Sequence, residues 1–310
     1  MSELLRAGVI GVGYLGRWHA HKWAQLPEVQ LHGLADTDRV RAMTVANEVG
    51  CVAYGDYRDL LNAVDLVSVA VPTEHHYQVV RDCLEAGVHV LVEKPITQRV
   101  AEADALIELA QSRGLKLQVG HVERFNPAWL VLRPHLTAPL FIEAHRLAPF
   151  KPRGTDVSVV LDLMIHDLDL ILSVVDSPVA EVRASGTPVL TDGIDIGNAR
   201  IEFANGCVAN LTASRVSMDT LRKMRLFLKD RYLAIDFGKQ RVDVARRGEG
   251  ADQPIVVEQI AVPAGDALMN EVEAFARAVR QDKPAPVSGE EGRRALALAL
   301  EIGELMHRRG

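Results

Sequence analysis

Near its start the chain carries Gly11-Val-Gly13-Tyr14-Leu15-Gly16, placed at the end of the short apolar run Gly8–Val12 and opening a stretch of helical character. Three glycines at this spacing impose a local geometry. The first permits a tight turn, the second lets backbone approach a pyrophosphate, and the third lets a helix lie close on a strand. Asp36 stands 20 residues beyond Gly16 and closes the next apolar run, Val29–Ala35, where a carboxylate can accept hydrogen bonds from a ribose. The pattern predicts a strand-turn-helix unit that holds a dinucleotide through Gly11, Gly13, Tyr14, Leu15, Gly16 and Asp36. The negative charge of Asp36 repels a 2′-phosphate and favours NAD over NADP, with Arg39 and Arg41 close behind it as an opposing influence.

Further apolar runs, Leu66–Val71, Val88–Val92 and Leu115–Val119, alternate with longer segments of helical period. That alternation predicts βαβ units and a doubly wound parallel sheet. Thr73 opens one helix that stops at Gly87, and Thr97 another that stops at Gly114, a hydroxyl cap and a glycine stop in each case. Beyond Pro127 the texture changes to strand-like runs joined by tight turns: Leu140–Leu147, Val179–Ser185, Ala199–Phe203, Val208–Ala213, Met224–Leu228, Tyr232–Phe237 and Ile255–Val262. Asn205-Gly206 joins two of them as a hairpin, because both residues tolerate positive φ. The expected fold is α/β, with a parallel dinucleotide-binding domain over residues 1–122 and a second α/β domain over 123–310 built on a large, mostly antiparallel open sheet. A helix near Val160–Val175 interrupts that sheet. The last helices, marked by Leu268, Val272, Phe275 and Val279 on one face and by a Ser288/Glu291 capping box, could pack back on the first domain.

Composition limits the partners. With 35 basic and 41 acidic residues the formal charge is −6, so no overall basic field attracts a nucleic acid polymer. Cys51, Cys83 and Cys207 are odd in number and far apart, which fits reduced thiols better than a disulfide framework or a zinc cluster. No apolar stretch approaches the roughly 18 residues of a membrane span, and a cytoplasmic location is expected. His19, His21, His75, His76 and His121 show no metal-ligand spacing, so no metal is expected.

Glu93-Lys94-Pro95 directly follows the Val88–Val92 run, which puts Lys94 at the carboxyl edge of the sheet, where ligands of such folds bind. Asp162 and His166 are four apart, hence on one helix face, among apolar neighbours. That pair fits a buried structural interaction, a metal site or an acid–base pair. Two cationic or polar clusters, Arg124 with Asn126 and Arg146 with Lys151 and Arg153, suit a phosphorylated or nucleotide-linked substrate, or else a solvated surface.

These features, taken in order, resemble the Gfo/Idh/MocA family of nicotinamide-dependent sugar oxidoreductases over essentially the whole chain. The match rests on Gly11-x-Gly13-x-x-Gly16, Val71-Pro72-Thr73 with His76, Glu93-Lys94-Pro95, Arg124-Phe125-x-Pro127 and Asp162-x-x-x-His166. The resemblance implies a Rossmann domain, and an open α/β domain whose sheet packs against another subunit in a homodimer or homotetramer. It also implies a Lys94-Pro95 bond that is often cis. Further cofactor contacts are implied from Pro72, Thr73, His76, Glu93 and Lys94. Catalytic roles are implied for Lys94, Asp162 and His166, with either Lys94 or His166 as proton acceptor. Substrate contacts would come from Arg124, Asn126, Lys151, Arg153, Asp162 and His166.

Within the family, the segments 121–127 and 156–167 look most like the branch that oxidises C3 of UDP-N-acetylglucosamine, giving a 3-keto sugar nucleotide for 2,3-diamino sugar and lipid A synthesis. The alternatives are an inositol, free-hexose or UDP-uronic acid dehydrogenase, or a non-catalytic NAD-binding sensor.

Overall fold

Leu66–Val69 and Leu117–Gly120 are buried at every position, the pattern of parallel strands covered by helices on both faces. The computed structural model describes residues 4–150, 157–250 and 253–308. Its first elements alternate: β1 (Leu5–Ile10), α1 (Tyr14–Gln25), β2 (Val29–Ala35), α2 (Arg39–Val49), β3 (Val52–Tyr54), α3 (Tyr57–Leu61), β4 (Leu66–Val69), α4 (His76–Glu85), β5 (His89–Glu93), α5 (Val100–Ser112) and β6 (Leu117–Gly120). All six strands pair in parallel, in the order β3-β2-β1-β4-β5-β6. The order reverses between β1 and β4, and that reversal opens a crevice at the carboxyl ends of the strands.

After α6 (Pro127–Leu132) and β7 (Phe141–Leu147), the chain makes one π-helical turn, Val160–Met164, that runs into α7 (Ile165–Leu172). Then come β8 (Val179–Thr187), β9 (Ile196–Phe203), β10 (Val208–Ser214), β11 (Leu221–Phe227), β12 (Arg231–Asp236), β13 (Arg241–Gly250) and β14 (Gln253–Ile260). They form an eight-stranded sheet ordered β14-β13-β12-β11-β7-β10-β9-β8, antiparallel throughout except where β7 meets β10. Along β7 the residues Ile142, Ala144 and Arg146 are buried while their neighbours are half-buried, the period of two that a sheet with one covered face produces. Helices α8 (Ala267–Arg280) and α9 (Gly289–His307) complete the chain.

The chain packs as two units: the residues up to Val122 with Ala267–Arg293, and Glu123–Asp266 with the residues from Arg294 onward. Val272, Phe275 and Ala276 of α8 join Ala20, Trp23, Leu34 and Leu91 in the core of the first unit. The capping box is reciprocal, with Ser288 N–H donating to Glu291 Oε2 at 2.9 Å and Glu291 N–H to Ser288 Oγ at 3.3 Å.

Some local expectations change. β3 and β13 were not anticipated, since one has three residues and the other, Arg-Val-Asp-Val-Ala-Arg-Arg, carries too much charge to read as a strand before its partners are known. A 3-10 turn, Thr73–His75, precedes α4, and no side chain caps it. Helix α5 starts after Arg99, whose N–H donates to Glu102, while the Thr97 hydroxyl donates to the Arg99 carbonyl instead of capping the helix. The glycine stops hold, with φ of 82° at Gly87 and 65° at Gly114. Among the described residues no helix is long and apolar enough to cross a membrane.

Candidate active site

The crevice at the strand-order reversal is a cavity of about 610 Å³, whose lining includes Gly11, Gly13, Asp36, Arg41, Pro72 and His75. The glycines do different things there. Gly11 has φ of +83°, and a Cβ on it would meet Val71 Cγ1 at 2.8 Å and the Ala70 backbone at 2.9 Å. A Cβ on Gly16 would overlap the Gly11 carbonyl oxygen. A Cβ on Gly13 would meet nothing within 4 Å, so this backbone faces open space at the start of α1. Tyr14 and Leu15 point their side chains outward, leaving the first turn of α1 to act through its backbone N–H groups.

Asp36 is fixed by four donors. Val12 N–H and Asp38 N–H reach it at 2.8 Å each, and Arg41 adds Nε at 3.1 Å and Nη2 at 2.8 Å. Burial raises its pKa, and the Arg41 and backbone hydrogen bonds outweigh that and hold the carboxyl below its ordinary range. Those four donors fill the approximately four lone-pair sites of a carboxylate. A ribose hydroxyl must therefore displace Arg41 to use Asp36. A deep glycine-lined crevice, an exposed N-terminal turn and an ionised carboxylate opposite it fit a dinucleotide.

The end of β5 is built differently. Lys94-Pro95 is cis, and Lys94 N–H donates to Glu93 Oε2 at 3.2 Å. Glu93 Oε1 lies 3.0 Å from His19 Nε2, and His19 Nδ1 lies 3.0 Å from Ser68 Oγ; the Ser68 hydroxyl oxygen accepts from Trp23 Nε1 at 2.8 Å. Burial pushes the Glu93 carboxyl up, and the His19 hydrogen bond and the Lys94 charge more than offset it. Gly120 leaves the room Glu93 occupies, since a Cβ there would lie 3.2 Å from the Glu93 carboxyl. Glu271 brings a second buried carboxylate to within 4.8 Å of the His19 and Glu93 ligand atoms.

His76 does not line the cavity. Its Nδ1 and Nε2 lie 2.8 and 2.9 Å from the carbonyl oxygens of Pro95 and Val71, so this buried ring fastens the loop after β4 to the turn after β5. Pro72 and the neighbouring His75 face the cavity instead. Burial pushes the His76 pKa down, the backbone carbonyls opposing it.

In the second unit, Asp162 lies in the π-turn and His166 in the first turn of α7, both half-buried. Single π-turns inside helices occur frequently at functional sites. The same helix is anchored by ion pairs. Asp167 accepts Arg146 Nε at 3.0 Å and Nη2 at 2.8 Å, and Arg146 Nη1 donates to Glu123 at 2.9 Å. Asp169 accepts Arg124 Nε at 2.7 Å and Nη2 at 3.2 Å.

Of the cationic clusters, Arg124 and Arg146 are buried in ion pairs with Asp169 and with Glu123 and Asp167. Asn126 caps α6 by accepting from Ala128 N–H at 3.1 Å and donates to Glu123 at 3.0 Å, so it too belongs to the interior. Lys151 and Arg153 lie outside the described residues. Lys94 belongs to the first unit, and Asp162 and His166 to the second.

Comparison with known proteins agrees with both units. The profile described as "Oxidoreductase family, NAD-binding Rossmann fold" matches residues 5–121, and the GFO/IDH/MocA C-terminal domain matches residues 139–230. The chain belongs to the Gfo/Idh/MocA family. As a family member it has a Rossmann fold of the NAD(P)-using oxidoreductases. It is similar to the UDP-N-acetylglucosamine 3-dehydrogenase of Acidithiobacillus ferrooxidans, 44% identical over 302 residues and 96% of each chain. A solved structure of that enzyme superimposes with a TM-score of 0.94 over 98% of each chain, at 43% identity. The myo-inositol 2-dehydrogenase of Thermotoga maritima is 26% identical over 316 residues, covering 95% of this chain and 94% of its own.

The anchoring of α7 is testable apart from any substrate. Burial raises the Asp167 pKa, and Arg146 offsets only part of that. Removing one partner of a buried pair typically costs about 3–5 kcal/mol. Asp167→Asn should lower the unfolding free energy by about that much in urea titrations, whereas removing the exposed Arg183–Glu181 pair should change it by less than about 1 kcal/mol.

Proposed function

We propose that this chain is an NAD-dependent dehydrogenase that oxidises the C3 hydroxyl of UDP-N-acetylglucosamine to a ketone. The observation that carries this reading is the 44% identity, over 96% of both chains, to an enzyme named for that reaction. The inositol dehydrogenases stand lower, at 26% for the one from Thermotoga maritima.

The residues of the chain supply position and proton handling. Backbone at Gly13 and the first turn of α1 would hold the pyrophosphate, and Asp36 the adenosine ribose. When bound, NAD supplies the acceptor for the hydride leaving the alcohol carbon. Glu93 would hold the nicotinamide ribose. Lys94 donates a hydrogen bond to the reacting oxygen and stabilises the charge that develops there. His166 takes the hydroxyl proton as general base, and Asp162 fixes the orientation of its imidazole. For the substrate diphosphate the sequence offers Lys151 and Arg153, since Arg124 is held by Asp169.

Alcohol oxidation by NAD lies uphill near neutral pH, so trapping the ketone is the informative assay. Protein, NAD and UDP-N-acetylglucosamine incubated with hydroxylamine should give a sugar-nucleotide oxime by mass spectrometry. Lys94→Met should lower its rate by about 10²–10³ while NAD affinity stays within a few fold. Normal turnover in that variant contradicts the role of Lys94.

Cofactor choice turns on the Asp36–Arg41 pair. Arg41→Ala frees Asp36 for the ribose and should increase discrimination against NADP. Asp36→Ala leaves Arg41 without its partner and should reduce or invert the preference. Equal NAD:NADP ratios of Kd in all three proteins, measured by calorimetry, would assign the choice elsewhere.

A further inference from the structure

Glu93, His19, Ser68 and Trp23 form one line of hydrogen bonds across three elements: β5, α1 and β4. None of the four is among the residues that line the dinucleotide cavity, and His19, Ser68 and Trp23 are each 1% exposed or less. The direction of the chain follows from what each group can do. An indole N–H only donates, so Ser68 Oγ accepts from Trp23. Among the described residues, Trp23 Nε1 and His19 Nδ1 are the groups within hydrogen-bonding distance of that hydroxyl. The Ser68 proton, buried away from water, therefore goes to His19 Nδ1, because an unmatched buried donor costs about 1–3 kcal/mol. His19 Nδ1 is then an acceptor and Nε2 carries the ring proton. That proton points at Glu93 Oε1, 3.0 Å away, and favours the ionised carboxylate there.

We propose that Ser68 is a positioning residue that acts through His19: it selects the Nε2–H tautomer and so holds Glu93 ionised and aimed, one residue before Lys94. This rests on the reading of Glu93 as a ligand of the nicotinamide half of the cofactor.

The first test reads the unaltered protein and uses a variant only for assignment. In the full-length protein with ¹⁵N-labelled histidine, the His19 ring, identified with His19→Gln, should show a protonated Nε2 and an unprotonated Nδ1. A protonated Nδ1 overturns the proposal. In Ser68→Ala the tautomer signature should be lost and NADH affinity should fall about tenfold, the scale of one buried hydrogen bond left unmade. Affinity for ADP, which has only the adenosine half, should stay within twofold. Ser68→Thr, which keeps a hydroxyl, should restore both readouts. Equal losses for NADH and ADP, or no loss for either in a folded Ser68→Ala protein, also overturn it. These binding and spectroscopic readouts do not depend on which alcohol is oxidised, so failure of the sugar-nucleotide reading would show separately, as absence of the trapped ketone.

Discussion

Helix α1 lies so close on the sheet that no side chain fits between Gly16 and the carbonyl of Gly11, and most of the first unit is referenced to that contact. Because an α-helix repeats every 3.6 residues, bringing Gly16 against the strand end also turns His19, Ala20 and Trp23 inward, and these are the buried residues of the helix. Ala20 and Trp23 enter the apolar core with Leu34 and Leu91. His19 and the indole N–H of Trp23 instead reach Ser68 on β4, and from there Glu93 on β5. One glycine contact thus sets both the phosphate-binding turn and the polar line that ends beside Lys94. Bulk at position 16 would act at both ends.

The second unit solves another problem. It must hold a half-buried Asp162 and His166 at the start of a short helix whose two other charged side chains, Asp167 and Asp169, are buried. Carboxylates at Asp167 and Asp169, each taking a two-pronged arginine, tie that helix to β7 and to the segment before α6. Guanidinium is suited to this because its planar fork matches a carboxylate with two parallel bonds. Such pairs add little to net stability against an apolar alternative, but once built they make the loss of either partner expensive. Their value here is geometric, since they fix which face of α7 is left for His166.

Features that depend on local chain geometry were legible in the sequence. The glycine turn, Asp36 at the end of β2, the glycine stops at Gly87 and Gly114, and the hairpin at Gly206 each follow from a few adjacent residues, and most of the order of strands and helices follows from period, β3 and β13 excepted. Features that depend on distant partners were not. Arg124, Asn126 and Arg146 have the composition of a phosphate site, yet Asp169, Glu123 and Asp167 from other elements consume them. His76 reads as a cofactor ligand until two carbonyls close on its ring. Ser68 is the converse, a lone serine in an apolar strand with no local signal. Only the burial of Trp23 and His19 beside it shows what its hydroxyl does.

The claim most exposed to a single measurement is that a hydride leaves C3 of a sugar nucleotide. UDP-N-acetylglucosamine carrying deuterium only at C3 would be incubated with the protein, NAD and a ketone trap, and the reduced cofactor weighed by mass spectrometry. The account predicts NADH one mass unit heavier, in step with oxime formed. Reduced cofactor of ordinary mass from the same mixture would contradict it, because the hydride would then have come from another carbon.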